Sequence, residues 1–524
     1  MKLKEKVNNI KSQFIKISVN TLSVIVIAIL LALFLLSLIF TAKFVGASEI
    51  ITYEVDNIVI NIVMVVFFCA ILYFLNKVLK KVNEKVLIII GCIVIGIVGI
   101  FWVNYIGSPV KADQKMIYMI SLEFLNGDFH SLEKPYYLFN HPLQLGILYF
   151  TMIIYKLIGY QSPLVFQNLN IIFVITCAIL SYKICNIIYK NKNINRILLI
   201  LLPMYIILPM ASVLVYGNIV GLMFALLGIF WIFKYLESRK IRYLLLSVIP
   251  VIFSIILKQN YQIFLIAISI ILILDLIKMF RKEIVFWLIG VMSLIFLINP
   301  VIYFITEKAT GKNVNDGIPM SAYIAMGIYE KFDRPSGWYN AEFNVESVYI
   351  DNDYNSEKAN EESINVIKDR IVYFVNNPKE MLLFYGEKIA STWLEPAFQT
   401  LWFSHPAEEY ETVKEHFESH KYIMSFLTGD AAQLIEKYLD VFEIIVFGSS
   451  FIFIIMSLKK KAINHQNIIF SLIFLGGFLF HILWETKSVY VIPFYYLLLP
   501  LAAGGLLEIF EFIDRLIYER KKNG

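Results

Sequence analysis

Residues 243–305 read YLLLSVIPVIFSIILKQNYQIFLIAISIILILDLIKMFRKEIVFWLIGVMSLIFLINPVIYFI. Three apolar runs, 243–258, 261–280 and 284–305, each approach the ~20 residues that cross about 30 Å of hydrocarbon. The break between the first two is KQN, with one lysine, whereas the break between the second and third gathers Lys278, Arg281 and Lys282. Lys and Arg collect in cytoplasmic connections, so the second break is placed inside and the first outside. The stretch therefore reads as three helices crossing a membrane in alternate directions.

The same pattern extends both ways. Further apolar runs lie at 17–45, 57–76, 86–106, 164–189, 196–215, 217–236, 437–458, 466–485 and 488–513, about twelve spans in all. Basic connections fall at every second loop: Lys2 to Lys16, Lys77 to Lys85, Lys190 to Arg196, Lys234 to Arg242, Lys459 to Lys461 and Arg515 to Lys522. Both termini are accordingly expected inside. The basic start, MKLKEKVNNIKSQFIK, precedes a run too long for a signal-peptide core, so a retained first span is expected.

Composition agrees. The chain is 59% hydrophobic and only 17% charged, whereas soluble domains are roughly a quarter charged. A soluble globular protein, a disordered chain and a collagen-like repeat are all excluded. The net charge of +5 is small and sits between the spans, which reports orientation and not nucleic-acid binding. Cys69, Cys92, Cys177 and Cys185 lie in apolar stretches without ligand spacing, as buried thiols do.

His141 to Tyr160, HPLQLGILYFTMIIYKLIGY, is apolar enough for a thirteenth span, but crossing there would move every later basic loop outside. It is therefore expected to lie in the outer interface or to be re-entrant. The fold class that follows is an all-α polytopic membrane protein with an interfacial helical outer loop and an extracytoplasmic segment. Its expected divisions are an N-terminal helical pair (1–85), a transmembrane core (86–305) with an outer loop (107–160), an extracytoplasmic segment (306–436), and C-terminal transmembrane helices (437–524). Residues 306–436 hold twice as many acids as bases and include the turn-rich stretches DRPSGWYN and DNDYNSEKAN.

Polar chemistry has few places to gather. The outer loop reads GSPVKADQKMIYMISLEFLNGDFHSLEKPYYLFNHPLQLG, with Asp113 at the start of a stretch of helical periodicity. A carboxylate there suits an acceptor from water meeting a donor held in lipid; a helix cap or an early-turn charge explains it as well. Asp128 in NGDF has the spacing of a turn residue, and Glu123 that of a solvated helix face.

In order and spacing over about fifty residues, this loop resembles the first loop of the GT-C glycosyltransferases, in particular the family 39 group containing protein O-mannosyltransferases and the aminoarabinose transferase of lipid A. The features that carry the likeness are Asp113-Gln114, Gly127-Asp128-Phe129 and Asn140-His141-Pro142-Leu143. Those enzymes typically show Asp-Glu, Gly-Asp-Trp and Lys-Pro-Pro-Leu. Gln114 thus replaces a second acid, and Asn140-His141 stands in place of Lys-Pro, leaving no lysine at that position for a donor phosphate. The C-terminal stretch HILWETKSVYVIPFYYLLLP looks like that of many Gram-positive members. Two spans precede the matching one, as if a helical pair were added to the family core.

The resemblance implies a GT-C-like fold and transfer of a sugar, with inversion, from a polyprenyl-phosphate donor. The acceptor is an envelope glycan, lipid or protein on the outer face of a bacterial plasma membrane. Asp113 would be the catalytic base. Substrate-binding candidates are Asp128, His141, Lys258, Glu485, Lys487 and Tyr490, of which Lys258, His141 and Lys487 would offset phosphate charge. Lys258 sits between apolar runs, where a lysine is costly unless paired or snorkelling. Glu485, Lys487 and Tyr490 belong to a polar cluster with His481 and Trp484, which an interfacial belt also explains. These outer helix ends are expected to share one cavity with Asp113. Trp338, Trp393, Glu395 and Trp402 read either as an acceptor surface or as loop packing. No cofactor is expected and no metal ligand is assigned, since Gln114 removes a possible one. A lipid-linked polysaccharide transporter or a non-catalytic envelope assembly protein is the alternative, although Asp275, Lys258 and Lys234 lie at span ends and not at mid-membrane.

Overall fold

The computed structural model describes residues 2–45, 49–159, 161–405 and 421–523. Helix α1 (Lys2–Ser37) is followed by strands β1 (Phe40–Phe44) and β2 (Ile51–Val55), then α2 (Ile58–Val78) and α3 (Glu84–Ile100), which continues as a π-turn to Ile106. Helices α4 (Ala112–Leu125) and α5 (Leu145–Ile158) occupy the loop after α3. Six helices follow: α6 (Pro163–Tyr189), α7 (Lys192–Met204), α8 (Gly217–Ser238), α9 (Ile241–Leu257), α10 (Gln262–Lys278) and α11 (Lys282–Thr310). The large acidic segment holds α12 (Met320–Ile328), α13 (Val345–Asp351), α14 (Ser356–Asn376) and α15 (Pro378–Trp393). The chain closes with α16 (Asp430–Lys459), α17 (Ile469–Leu483), α18 (Ser488–Tyr496) and α19 (Leu499–Asn523).

Among the described residues nine helices are long and apolar enough to cross a membrane, or eleven if each of two bent pairs is one span. The protein is an all-α multi-pass membrane protein. One expected span is shorter than read: α17 has 15 residues, starting at Ile469 and leaving the helix at Trp484, within the expected 466–485. Helix α9 has 17 residues and matches the run read at 243–258, the chain leaving the helix at Lys258. At 1.5 Å per residue, α9 reaches about 25 Å. The stretch around His141 is a bent pair turning by 100°, not a straight thirteenth span.

Small polar residues between the apolar runs start the helices. Asn57 accepts from the backbone N–H groups of Val59 and Ile60, Asn83 from Lys85, and Asn191 from Asn193 and Ile194. Burial then sorts the spans. The apolar stretch of 192–213 is 78% buried inside the protein, whereas that of α2 is only 11% buried, so the first is central and the second faces lipid. In the centre, Tyr205 stacks between Phe442 and Tyr495, and Gly505 lies where a Cβ would fall 1.8 Å from the Ser449 carbonyl oxygen. Such contacts draw spans together where hydrophobicity alone cannot.

The first helix ends at Ser37, eight residues before the expected end of the span, and the chain turns into an antiparallel hairpin with Ala42 opposite Tyr53 and Phe44 opposite Ile51. The Ala42 N–H donates to the Leu394 carbonyl at 2.9 Å, tying the hairpin to the end of α15. At one end of the bundle, ion pairs join Lys77 to Asp514, Lys460 to Glu508, and Arg239 to the buried Asp275, which His465 also meets. The opposite end carries the hairpin, α4, α5 and the acidic segment, and here most of the candidate polar side chains converge.

Candidate functional site

Asp113 lies in the first turn of α4, directly after Ala112, whose φ of 47° is left-handed and unusual for a residue with a Cβ. Two buried neighbours fix this turn. The Gln114 side-chain oxygen accepts from the Val215 N–H at 2.8 Å, and the Lys111 ammonium donates to the Trp402 carbonyl at 2.8 Å while resting 4.7 Å from that ring. Gln114, at the place of a second acid, is thus a clamp onto the 214–218 turn. The Asp113 side chain is exposed, and among the described residues no side-chain hydrogen bond engages its carboxylate. It acts electrostatically on Lys258, Glu485, Tyr137, Tyr216, Tyr323 and Tyr490.

Lys258 follows the last residue of α9 and is half-buried. Its ammonium donates to the Asn218 side-chain oxygen at 3.2 Å and lies 4.6 Å and 5.0 Å from the Tyr216 and Tyr490 rings. Gly217 makes this approach possible, since a Cβ there would fall 2.0 Å from the Leu257 carbonyl oxygen. Lys258 therefore turns inward toward aromatic faces and does not snorkel.

The turn between α17 and α18 completes the group. The Glu485 N–H donates to the Tyr323 carbonyl at 3.0 Å, and the Thr486 N–H to the Gly337 carbonyl at 2.9 Å. Beneath them the ammonium of Lys388, buried in α15, donates to the Gly327 carbonyl at 2.5 Å and the Trp484 carbonyl at 2.8 Å. Burial pushes the Glu485 carboxyl up to about 7; Asp113 and Glu49 add to this, while Lys487 and Lys388 oppose it. Burial likewise brings Lys388 down to about 7 and Lys111 down to about 8. Lys487 and Arg334 both bind Glu49, at 2.8 Å each, one at each carboxylate oxygen. Tyr490 supplies the ring under Lys258, and the His481 imidazole meets the Thr486 hydroxyl at 3.2 Å.

Asp113, Lys258, Glu485 and Tyr490 thus stand at one end of the bundle, Asp113 and Glu485 each acting on Lys258 and Tyr490, and Lys487 joins them through Glu485. Asp128 does not join them: it is exposed and accepts from the His130 N–H at 3.1 Å and ring at 2.9 Å, closing its own turn. Those two contacts hold its carboxyl below the usual range. His141 borders the group, but Tyr323 and Glu346 engage both its ring nitrogens, leaving no hydrogen to give a phosphate. Trp338 and Trp393 are buried, with Trp338 donating to Ser391 and Trp393 against Phe474 and Phe478, so they pack the segment and present no open face. Glu395 is buried too, accepting from the Ala397 and Gln399 N–H groups and from Ser488. Among the described residues no group of three or more His, Cys, Asp or Glu side chains is placed to hold a metal ion.

Five members of the group escape the sequence reading: Glu49, Tyr323, Arg334, Glu346 and Lys388. Each sits in a segment whose position depends on pairing across 61 or more residues, and none has a neighbour in sequence that marks it. Lys388 offers the nearest thing to a signal, as a lysine within GEKIASTW, a run of small and apolar residues.

No family model and no curated protein matches the chain. Among solved structures, it is similar to the archaeal oligosaccharyltransferase AglB from Archaeoglobus fulgidus in complex with an inhibitory peptide and a dolichol-phosphate. Identity is 9%, coverage is 85% of this chain and 52% of that one, and the TM-score is 0.41. It is also similar to the Archaeoglobus fulgidus oligosaccharyltransferase tethered by a disulfide to an acceptor peptide containing the NVT sequon. Here identity is 10%, coverage is 84% and 51%, and the TM-score is 0.40. The chain spans about half the length of these two proteins.

Proposed function

We propose that the protein is a GT-C-like glycosyltransferase that moves a single sugar, with inversion, from a polyprenyl-phosphate donor to an envelope glycan, lipid or protein on the outer face of a bacterial plasma membrane. The observation that carries this reading is the convergence, at one end of a membrane bundle, of a carboxylate free of side-chain hydrogen bonds with inward-turned cations and phenols from distant parts of the chain. A lipid-linked phosphate needs cations at a helix end, an acceptor hydroxyl needs a base open to water, and a sugar needs polar aromatic walls. This end of the bundle offers all three.

In the proposed reaction Asp113 takes the proton of the acceptor hydroxyl as its oxygen bonds to the anomeric carbon. The bond from that carbon to the donor phosphate oxygen breaks on the opposite face, and the lipid phosphate leaves with the electron pair. Lys258 and Lys487 offset the charge of the leaving group, with Lys111 and Arg334 adding to the positive field. Glu485 and Tyr490 line the same space, and Asp128 fixes the turn beyond α4. No step needs a metal or cofactor to balance. The outer placement of this end rests on the clustering of Lys77, Lys190, Arg239, Lys282, Lys460 and Arg515 at or near the opposite one.

The test is transfer by the purified protein in proteoliposomes given radiolabelled polyprenyl-phosphate sugars, with the label followed into acceptor fractions. Consumption of one sugar lipid by the wild type and not by Asp113→Asn supports the reading. Absence of transfer from every donor, with envelope extract supplied as acceptor, overturns it.

A further inference from the structure

Beside Asp113, three side chains from three separate stretches form a chain of hydrogen bonds. His141 follows the end of the 137–140 turn of helix, Tyr323 lies on α12, and Glu346 lies in the first turn of α13. The Nε2 of His141 stands 3.3 Å from Glu346 Oε1, and Nδ1 stands 3.1 Å from the Tyr323 hydroxyl. Burial works to raise the Glu346 carboxyl, but His141, its own backbone N–H and, last, Lys487 more than reverse this and hold it below the usual carboxylate range.

The direction of the chain follows from what each group can give. An ionised carboxylate only accepts, so Nε2 carries the hydrogen; in the neutral ring Nδ1 is then an acceptor. With the ring neutral, the single phenolic hydrogen of Tyr323 points to Nδ1, and the phenol oxygen keeps its lone pairs with no hydrogen to offer. Asp113 and Glu485 act electrostatically on that same phenol. The Tyr323 side of the site thus presents acceptors beside Asp113, whereas Lys258 and Lys487 present donors. A phosphate suits the second wall and is repelled by the first; a polyol suits the first.

We propose that the Tyr323 oxygen, aimed by His141 and through it by Glu346, accepts a hydrogen bond from a hydroxyl of the transferred sugar, so that this trio decides which sugar is seated while the lysines hold the lipid phosphate. The inference rests on the glycosyltransfer reading and assigns the trio a part in it. Tyr323 touches the substrate; His141 and Glu346 are positioning residues.

The experiment measures the affinity of the full chain in nanodiscs for undecaprenyl phosphate and for undecaprenyl phosphate linked to a panel of hexoses and N-acetylhexosamines. The wild type is expected to bind at least one sugar-bearing lipid more tightly than the bare one. Tyr323→Phe should lose about 2- to 10-fold of that preference, the span of one neutral hydrogen bond, and leave bare-lipid affinity within twofold, which also shows that the variant is folded. His141→Phe and Glu346→Leu should lose the same preference, and Glu346→Gln, which still accepts from Nε2, should retain it. The double variant Tyr323→Phe/His141→Phe should lose no more than either single one. Equal weakening of bare and sugar-bearing lipids, a preference that survives Tyr323→Phe, or losses that multiply in the double variant would each overturn the inference. A wild type that binds bare lipid phosphate and shows no preference for any sugar also overturns it while sparing the phosphate site. A wild type that binds none of these lipids sinks the glycosyltransfer reading as well.

Discussion

Asp113→Asn separates the two readings of this carboxylate because its structural and chemical effects differ in size. In the first turn of α4 the charge faces the positive end of the helix dipole, worth about 0.3–1 kcal/mol at an exposed position, and no side-chain hydrogen bond is lost on replacement. The variant should therefore fold and melt close to the wild type. A general base contributes about 10²- to 10⁴-fold to the rate, or about 3–5 kcal/mol of barrier, so turnover should fall by that factor. Donor binding supplies a second readout. Asp113 is one of the charges that raise the Glu485 carboxyl toward about 7. In the wild type, Glu485 is neutral below that pH and ionised above it, so its repulsion of the donor phosphate grows as pH rises through 7. Removing the Asp113 charge lowers the Glu485 pKa, and the decline in donor affinity should begin at lower pH in Asp113→Asn. The assay is single-turnover transfer of labelled sugar at saturating donor, with binding of undecaprenyl phosphate measured from pH 5 to 9. Turnover within tenfold of the wild type, with the binding profile unmoved, would refute both the base role and the proximity on which the pH argument rests.

Other perturbations probe the frame. Gly327→Ala would put a Cβ 2.4 Å from the Glu485 nitrogen; the turn must move off α12, at about 1–3 kcal/mol for overpacking, and transfer should drop, while a wild-type rate would show that the 484–487 turn is dispensable. Lys388→Met leaves the Gly327 and Trp484 carbonyls without their donor, so unfolding in denaturant should show a loss of about 2–5 kcal/mol; because the ammonium titrates near 7, below the ordinary lysine range, burying it costs the folded wild type more as pH falls from 10 toward 7, and the deficit of the variant should shrink over that range. Lys77→Ala breaks an exposed pair with Asp514 at the far end and should change stability by less than about 1 kcal/mol and transfer not at all. A cysteine introduced at Asn126 should react with an impermeant thiol reagent on intact cells; labelling only after the inner face is opened would place the proposed base, Asp113, on the wrong side.

Much of the bundle was legible because hydrocarbon imposes a length and a polarity on each segment. The spans read at 164–189, 217–236 and 437–458 lie within helices of the structure, and that read at 57–76 does so from Ile58 on, with Asn57 as the cap. The errors fall where a polar task competes with span length. Residues 38–45 are apolar enough to extend the first span, yet they pair with 50–55 because an edge of the hairpin is met by the Leu394 carbonyl. The early end of α17 has the same origin: Trp484 leaves the helix and its carbonyl accepts from Lys388, just as Lys258, beyond the end of α9, reaches Asn218. Composition along a window holds no record of such distant partners.

The site was legible only in part for a related reason. Asp113, Lys258 and Glu485 stand out because each is a charge at the border of an apolar run, where an unpartnered charge is expensive. Tyr323, Arg334 and Glu346 lie in an acidic, turn-rich segment in which such residues are ordinary, and only the folded chain brings them beside the helix ends. The division of labour follows from this placement. The spans supply fixed charges whose depth is set by the bilayer, and the segment between α11 and α16 supplies adjustable hydrogen bonds above them. Lys258 is bound to a helix end and to two rings, so it cannot follow a change of substrate without moving a span. Tyr323, His141 and Glu346 meet through side chains alone and can be exchanged at little cost to the bundle. In the proposed reaction, phosphate recognition would thereby be tied to the membrane scaffold and sugar recognition to the segment above it.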